Sequence, residues 1–150
     1  MHNYSRTTLF IDGQWVAPAG RGAIEVIDPA TERAIGSVPV GSADDVDAAV
    51  AAARTAFDPL ISPGDRRERL AAVITAMEKR LPDIAETITA EMGAPIRIAQ
   101  TVQTQVPLAV ARGFADAMDS VEFDGRIGNS LVIREPYGVV AAITPWNYPL

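Results

Sequence analysis

Apolar residues recur with two different periods along this chain, and the switch between them divides it into strands and helices. Over residues 9–16, Leu9-Phe10-Ile11 and Gln14-Trp15-Val16 flank Asp12-Gly13. That pattern predicts two short strands joined by a two-residue hairpin turn. A third strand is expected over residues 23–27, a turn at Asp28-Pro29-Ala30-Thr31, and a further strand over residues 35–40. From Ser42 the spacing lengthens to the helical one, with Val46, Val50, Ala53 and Phe57 predicted to form a buried face. Ser42 reads as the cap, and Asp44, Asp45 and Asp47 lie in the first turns, where negative charge complements the helix dipole. Dipole stabilisation and solvation account for these acids better than a metal or acid–base cluster does.

Ser62-Pro63 opens a second predicted helix, with Leu70, Ile74, Met77 and Leu81 as its apolar stripe and Arg66, Arg67, Arg69, Lys79 and Arg80 as a solvated face. A third runs from about Pro82 to Met92, with Ile84, Ile88 and Met92 on one side and Gly93 placed to end it. Ala94-Pro95 permits a change of direction. Over residues 96–121, Val102, Val106, Val110, Phe114 and Met118 recur every four residues. They predict a long buried helix, or two in line, whose stripe serves the core or a subunit contact. Pro107 lacks a backbone donor, so a kink or break is expected just before it.

The chain then returns to strand character. Residues 121–134 predict two short strands around a turn at 125–130, and residues 139–143 are a β-branched apolar run that reads as a strand buried on both faces. After it comes Thr144-Pro145-Trp146-Asn147-Tyr148-Pro149. Thr144 and Tyr148 each precede a proline and are biased toward extended backbone, while both prolines have φ fixed, so Trp146 and Asn147 occupy a stiff elbow. Pro149 suits the first position of a helix. Asn147 would then sit near a helix N-terminus at the carboxyl end of a strand, where open α/β sheets bind ligands. Its carboxamide is a candidate donor to an oxygen that gains negative charge during a reaction. The competing role is a helix cap or Asx turn.

Composition narrows the chemistry. The 150 residues are 48% hydrophobic and 21% charged, which suits a globular chain, and the net charge of −6 with pI near 4.7 disfavours nucleic acid or anionic membrane as a partner. There is no cysteine, hence no disulfide framework, thiolate metal site or thiol nucleophile. Gly125 and Gly128 form no phosphate loop, since neither G-x-G-x-x-G nor G-x-x-x-x-G-K occurs. The single histidine, His2, stands in the polar N-terminal stretch, which is expected to be mobile, and supports neither a Ser-His-Asp arrangement nor a histidine metal site. Without an apolar leader or spanning segment, a cytoplasmic location is expected.

Glu135-Pro136-Tyr137-Gly138-Val139-Val140 followed by Ile143-Thr144-Pro145-Trp146-Asn147-Tyr148-Pro149-Leu150 closely resembles the NAD(P)-dependent aldehyde dehydrogenase superfamily. Ile11-Asp12-Gly13-Gln14-Trp15 and Val26-Ile27-Asp28-Pro29-Ala30-Thr31 extend the likeness, which covers the chain from about Leu9. The resemblance implies an α/β fold: the N-terminal part of a coenzyme-binding domain over residues 1–120, a projecting oligomerisation hairpin over 121–136, and from 137 the start of a Rossmann-like parallel sheet. The catalytic domain would lie outside this chain. The implied activity is oxidation of an aldehyde to a carboxylic acid with NAD or NADP, NAD being favoured, through a thiohemiacetal and thioester on a cysteine beyond residue 150.

By the same resemblance Asn147 stabilises the oxyanion, and Ile143, Thr144, Pro145 and Trp146 contact the cofactor. Tyr148 forms an aromatic wall of the substrate tunnel, and Glu91 with the Ile27 carbonyl matches positions that hold a monovalent cation in some members, the competing role of Glu91 being a solvated helix-end carboxylate. The implied partners are a small-molecule aldehyde and further copies of the chain in a dimer or tetramer. Ala94 departs from the family, many members of which carry lysine there. Two alternatives remain open: a non-catalytic structural or oligomerisation module, and a CoA-acylating or semialdehyde-specific relative.

Overall fold

A computed structural model describes residues 4–121 and 124–150. His2, and the Glu122-Phe123 part of the predicted hairpin, lie outside the described residues. The N-terminal strands form two antiparallel hairpins. In the first, β1 (Leu9–Ile11) pairs with β2 (Gln14–Val16), Leu9 opposite Val16. Asp12 and Gly13 both take positive φ, 53° and 71°, as a primed two-residue turn requires. In the second, β3 (Ala23–Asp28) pairs with β4 (Arg33–Pro39), with a register shift between Val26 and Ile27. Asp28 shapes the connection by accepting from the Ala30 amide at 2.8 Å and the Thr31 hydroxyl at 3.0 Å, which hold its carboxyl below the usual carboxylate range.

Residues 4–6 lie along the edge of β4, with the Arg6 amide donating to the Ser37 carbonyl at 2.7 Å. Gly36 makes this approach possible, since a Cβ there would stand 2.5 Å from the Tyr4 carbonyl carbon. No composition signal marks that docking in the sequence.

Helix α1 (Ala43–Ala56) begins with the cap expected of Ser42, here a full capping box whose reciprocal partner, Asp45, is buried rather than solvated as its first-turn position suggested. The carboxylate of Asp45 reaches further than a cap. It accepts from the Ala19 amide at 2.8 Å, the Ser42 amide at 2.8 Å and the Ser42 hydroxyl at 2.8 Å, with the Gly20 amide at 3.4 Å. The Ala19 bond, then those from Ser42, depress its pKa to about 2. Because the folded-state value is lowered, the stabilisation from Asp45 is complete above the unfolded carboxylate range and is lost as pH falls through the folded value. The urea midpoint of Asp45→Asn is therefore expected to fall short of wild type by its full margin at about pH 5, and by a smaller margin at about pH 3. A margin that stays constant over that range would contradict this role.

The predicted buried face of α1 is not realised among the described residues. Val46 and Phe57 are exposed and Val50 is only half-buried. No described element covers that side.

Helix α2 (Pro63–Glu78) is capped by Ser62, whose hydroxyl accepts from the Asp65 amide, and carries Pro63 in its first turn as predicted. Helix α3 (Leu81–Met92) ends at Gly93, which adopts φ 76°. A Cβ at Gly93 would meet the Pro29 ring at 2.8 Å, so this one residue both terminates α3 and lets it dock beside the β3–β4 turn.

Beyond Pro95 the predicted long helix is three pieces. Helix α4 (Ile96–Ile98) runs into a π-helical turn, Ala99–Gln103, and then into α5 (Gln105–Ala117), followed by a 3₁₀ turn, Met118–Ser120. The break expected before Pro107 is thus a π-turn, and Pro107 falls in the first turn of α5, where its missing donor costs no helical bond.

Two small cores result. Ala85, Ile88, Ala94 and Ala99, with Ile84 and Met92 against them, join α3 to the π-turn. Ala94 is itself buried in this cluster. Ile74, Leu108 and Ala115, with Leu70, Met77, Leu81 and Ala111, join α2 to α5. The α2 stripe thus packs inward, Ile74 buried and Leu70, Met77 and Leu81 partly so, whereas α5 turns the other way. It buries Leu108 and Ala115, with Ala111 partly buried beside them, and leaves Val106, Val110 and Phe114 exposed. Small residues allow α5 to lie close against α2, so the bulkier stripe faces outward.

After α5, β5 (Asp124–Ile127) pairs with β6 (Ser130–Ile133) around a two-residue turn at Gly128-Asn129, tighter than the predicted 125–130. Residues 134–145 form no strand. The predicted run over residues 139–143 finds no neighbouring strand among the described residues, and without a ladder its backbone cannot hold a sheet conformation. Val140 and Ile143 are exposed. Pro149 likewise begins no helix among the described residues.

Candidate active site

The elbow at residues 144–149 is seated against the helical body by both of its sides. The Tyr148 amide donates to the Pro145 carbonyl at 3.4 Å, closing a turn around Trp146 and Asn147. This is the compact, proline-bounded geometry expected from the sequence, formed even without the flanking strand.

On one side, Thr144, Pro145 and Trp146 face α3 across a cavity of about 570 Å³, whose other walls include Ile84, Ile88, Glu91 and Met92. That volume is in the range of small-molecule sites. Trp146 is 82% exposed and Ile143 94%, so this rim of the elbow offers apolar surface that a bound group would cover. The lining suits the wall of a nicotinamide coenzyme site, with a flat indole at Trp146 and a hydroxyl at Thr144.

On the other side, Tyr148 and Leu150 border an apolar trough of about 650 Å³ with Val106, Val110, Phe114 and Met118. Four of the five residues in the predicted four-residue stripe therefore line the same trough as Tyr148. Sequence reasoning placed the stripe in the core or a subunit contact and missed this arrangement. The signal available was that a strict spacing of four drifts around a 3.6-residue helix and need not coincide with the face that small residues bury.

Asn147 lies between the two cavities. It is exposed and lines neither. Its backbone carbonyl accepts from the Gln103 side chain at 3.0 Å, so the residue's main chain is anchored while its carboxamide faces outward. Glu91 is exposed at the end of α3 and borders the first cavity, and Ile27 belongs to β3, the strand against which α3 packs. Among the described residues no three acidic, histidine or cysteine side chains gather as a metal cluster. Glu91 and the Ile27 carbonyl alone are too few oxygens to enclose a cation. No described helix is long and apolar enough to cross a membrane.

Comparison with known proteins finds likenesses over nearly the whole chain. The aldehyde dehydrogenase family model matches residues 15–150. The 3-succinoylsemialdehyde-pyridine dehydrogenase of a Pseudomonas species is 44% identical over 150 residues, covering 95% of this chain and 30% of that protein. Among solved structures, a mutant aldehyde dehydrogenase C from Pseudomonas syringae complexed with NAD+ and octanal superposes with a TM-score of 0.90 at 38% identity, over 95% of this chain and 30% of that one. An aldehyde dehydrogenase of Mycobacterium tuberculosis complexed with NAD+ gives 0.89 at 39% identity, over 99% and 32%. The chain spans about a third of the length of these relatives.

Proposed function

The chain belongs to the aldehyde dehydrogenase family, and from that membership we propose that residues 1–150 form the N-terminal part of an enzyme oxidising an aldehyde to a carboxylic acid. The observation that supports this is the elbow itself: the Asn147 main chain is anchored by Gln103, its neighbours Thr144, Pro145 and Trp146 border one cavity, and Tyr148 borders an apolar trough. NAD+, present in the two solved relatives, supplies the hydride acceptor when bound. Ile143, Thr144, Pro145 and Trp146 form its wall. Trp146 excludes water from one face and Thr144 offers a hydroxyl.

Asn147 donates a hydrogen bond to the aldehyde oxygen as a thiolate attacks the carbonyl carbon, stabilising the charge that collects on that oxygen. The thiol comes from outside these 150 residues, which contain no cysteine. Tyr148, with Val106, Val110, Phe114 and Met118, lines the approach of the aldehyde's apolar portion. The hairpin β5–β6 serves assembly into a dimer or tetramer, since its exposed Ile127, Leu131 and Ile133 suit pairing with another subunit. Glu91 and the Ile27 carbonyl supply two oxygens toward a monovalent cation, and no step depends on them.

The name of the Pseudomonas relative favours a semialdehyde as the substrate variant. Assaying the full-length protein with NAD+ and a panel of aliphatic aldehydes and semialdehydes, without CoA, is expected to yield NADH and the free acid. Failure of every aldehyde to reduce NAD+ would overturn the reading, and a requirement for CoA would move the enzyme to the acylating class.

A further inference from the structure

The π-helical turn at Ala99–Gln103 is the least regular stretch of the helical body, and it lies directly under the elbow. The Thr104 amide bonds the Ala99 carbonyl, five residues back, at 3.1 Å. The Gln100 carbonyl, which loses that amide, is taken up by the Thr104 hydroxyl at 3.1 Å. An extra residue is thus accommodated without leaving the bypassed carbonyl bare. Its consequence is that two adjacent polar residues, Gln103 and Thr104, both point inward, at 5% and 0% exposure.

Gln103 uses that position to reach across 44 residues and donate from Nε2 to the Asn147 carbonyl at 3.0 Å. The orientation of the amide is fixed by chemistry, because only its NH₂ can donate to a carbonyl. Among the described residues this is the one hydrogen bond that ties the elbow to the helices, since the Tyr148–Pro145 bond is internal to the turn. The other end, Oε1, is buried without a partner among the described residues. A glutamine kept inward with half its capacity unmet is better explained by what its NH₂ holds than by packing, which an apolar residue would serve better.

We propose that Gln103 is a positioning residue for Asn147: the π-turn presents its NH₂ to the Asn147 carbonyl, and this bond fixes the main-chain root from which the Asn147 carboxamide projects. The proposal rests on the oxyanion role given to Asn147 above. Bonding the main chain of the very residue that carries the donor sets the root from which the carboxamide projects, and donors of this kind act only when aimed before the reaction begins.

The test uses the full-length enzyme with Gln103→Met, of similar length without the donor, and Gln103→Glu, of the same shape, each alone and combined with Asn147→Ala. Gln103→Met is expected to lower kcat by about tenfold, the worth of one hydrogen bond, with KM for NAD+ unchanged. Added to Asn147→Ala it is expected to cost nothing further, because the group it aims is gone. For Gln103→Glu, activity relative to wild type is expected to rise as pH falls, since only the protonated carboxyl donates.

An unchanged kcat in Gln103→Met, or a loss of equal size in both backgrounds, would overturn the positioning role. Should Gln103→Met fail to fold, Gln103→Glu carries the test, and a flat ratio to wild type across pH overturns the proposal. If Asn147→Ala itself keeps full turnover, the oxyanion role fails and the Gln103 role fails with it. A loss in Asn147→Ala with none in either Gln103 variant sinks the Gln103 role alone.

Discussion

Replacing Asn147 by alanine is expected to lower kcat of the full-length enzyme by about 10²- to 10³-fold while leaving it folded. Removal of a single oxyanion donor costs about 2.7–4 kcal/mol of transition-state stabilisation, whereas loss of a helix cap costs about 1 kcal/mol of folding stability. The two roles open to this residue thus predict different observables. In the described structure the side chain of Asn147 is exposed and its backbone, not its carboxamide, makes the bond to the body. Truncation at Cβ therefore removes no described contact. Steady-state kinetics beside a thermal melt checks this, and a variant with wild-type kcat and a lowered melting temperature would assign Asn147 to capping.

Leu108→Ala is expected to destabilise the fold by about 2–5 kcal/mol. Leu108 is 2% exposed and sits where α2 and α5 meet, in a cluster whose other buried members among the described residues are Ile74 and Ala115. With so few large side chains at that contact, the cavity left by truncation has little to collapse into it. Urea unfolding measures the effect, and a midpoint within error of wild type would show that α5 is held by its outer stripe instead.

The local structure was legible wherever one residue type has one physical consequence. Asp12-Gly13, Ser42 with Asp45, Ser62-Pro63 and Gly93 are turn and cap signals whose geometry depends on immediate neighbours, and each forms as read. Burial was legible only where both partners lie within the chain. The α2 stripe meets α5 and is covered, while Val46 and Phe57 on α1 and the bulky stripe on α5 meet no described partner and are exposed. The strand over residues 139–143 fails for the same reason, since a ladder needs a second strand that its own sequence cannot supply.

The site was legible in its elbow and not in its surroundings. Proline spacing reveals that residues 144–149 are stiff, but nothing in the local sequence says that Tyr148 faces α5 or that Trp146 faces α3. Gln103 carried no signal at all, because a π-turn has no composition of its own and glutamine on a helix ordinarily reads as a solvated position. Asp45 was placed correctly in its first turn, yet its reach to Ala19 and Gly20 depends on a loop more than 20 residues upstream.

The most direct test is the rate of hydride transfer in a single turnover, with the aldehyde mixed against excess NAD+-loaded wild type and Asn147→Ala. If the Asn147 carboxamide steadies the charge on the reacting oxygen, NADH should appear about 10²- to 10³-fold more slowly in the variant, at unchanged coenzyme affinity. Equal single-turnover rates in two equally folded proteins would contradict it.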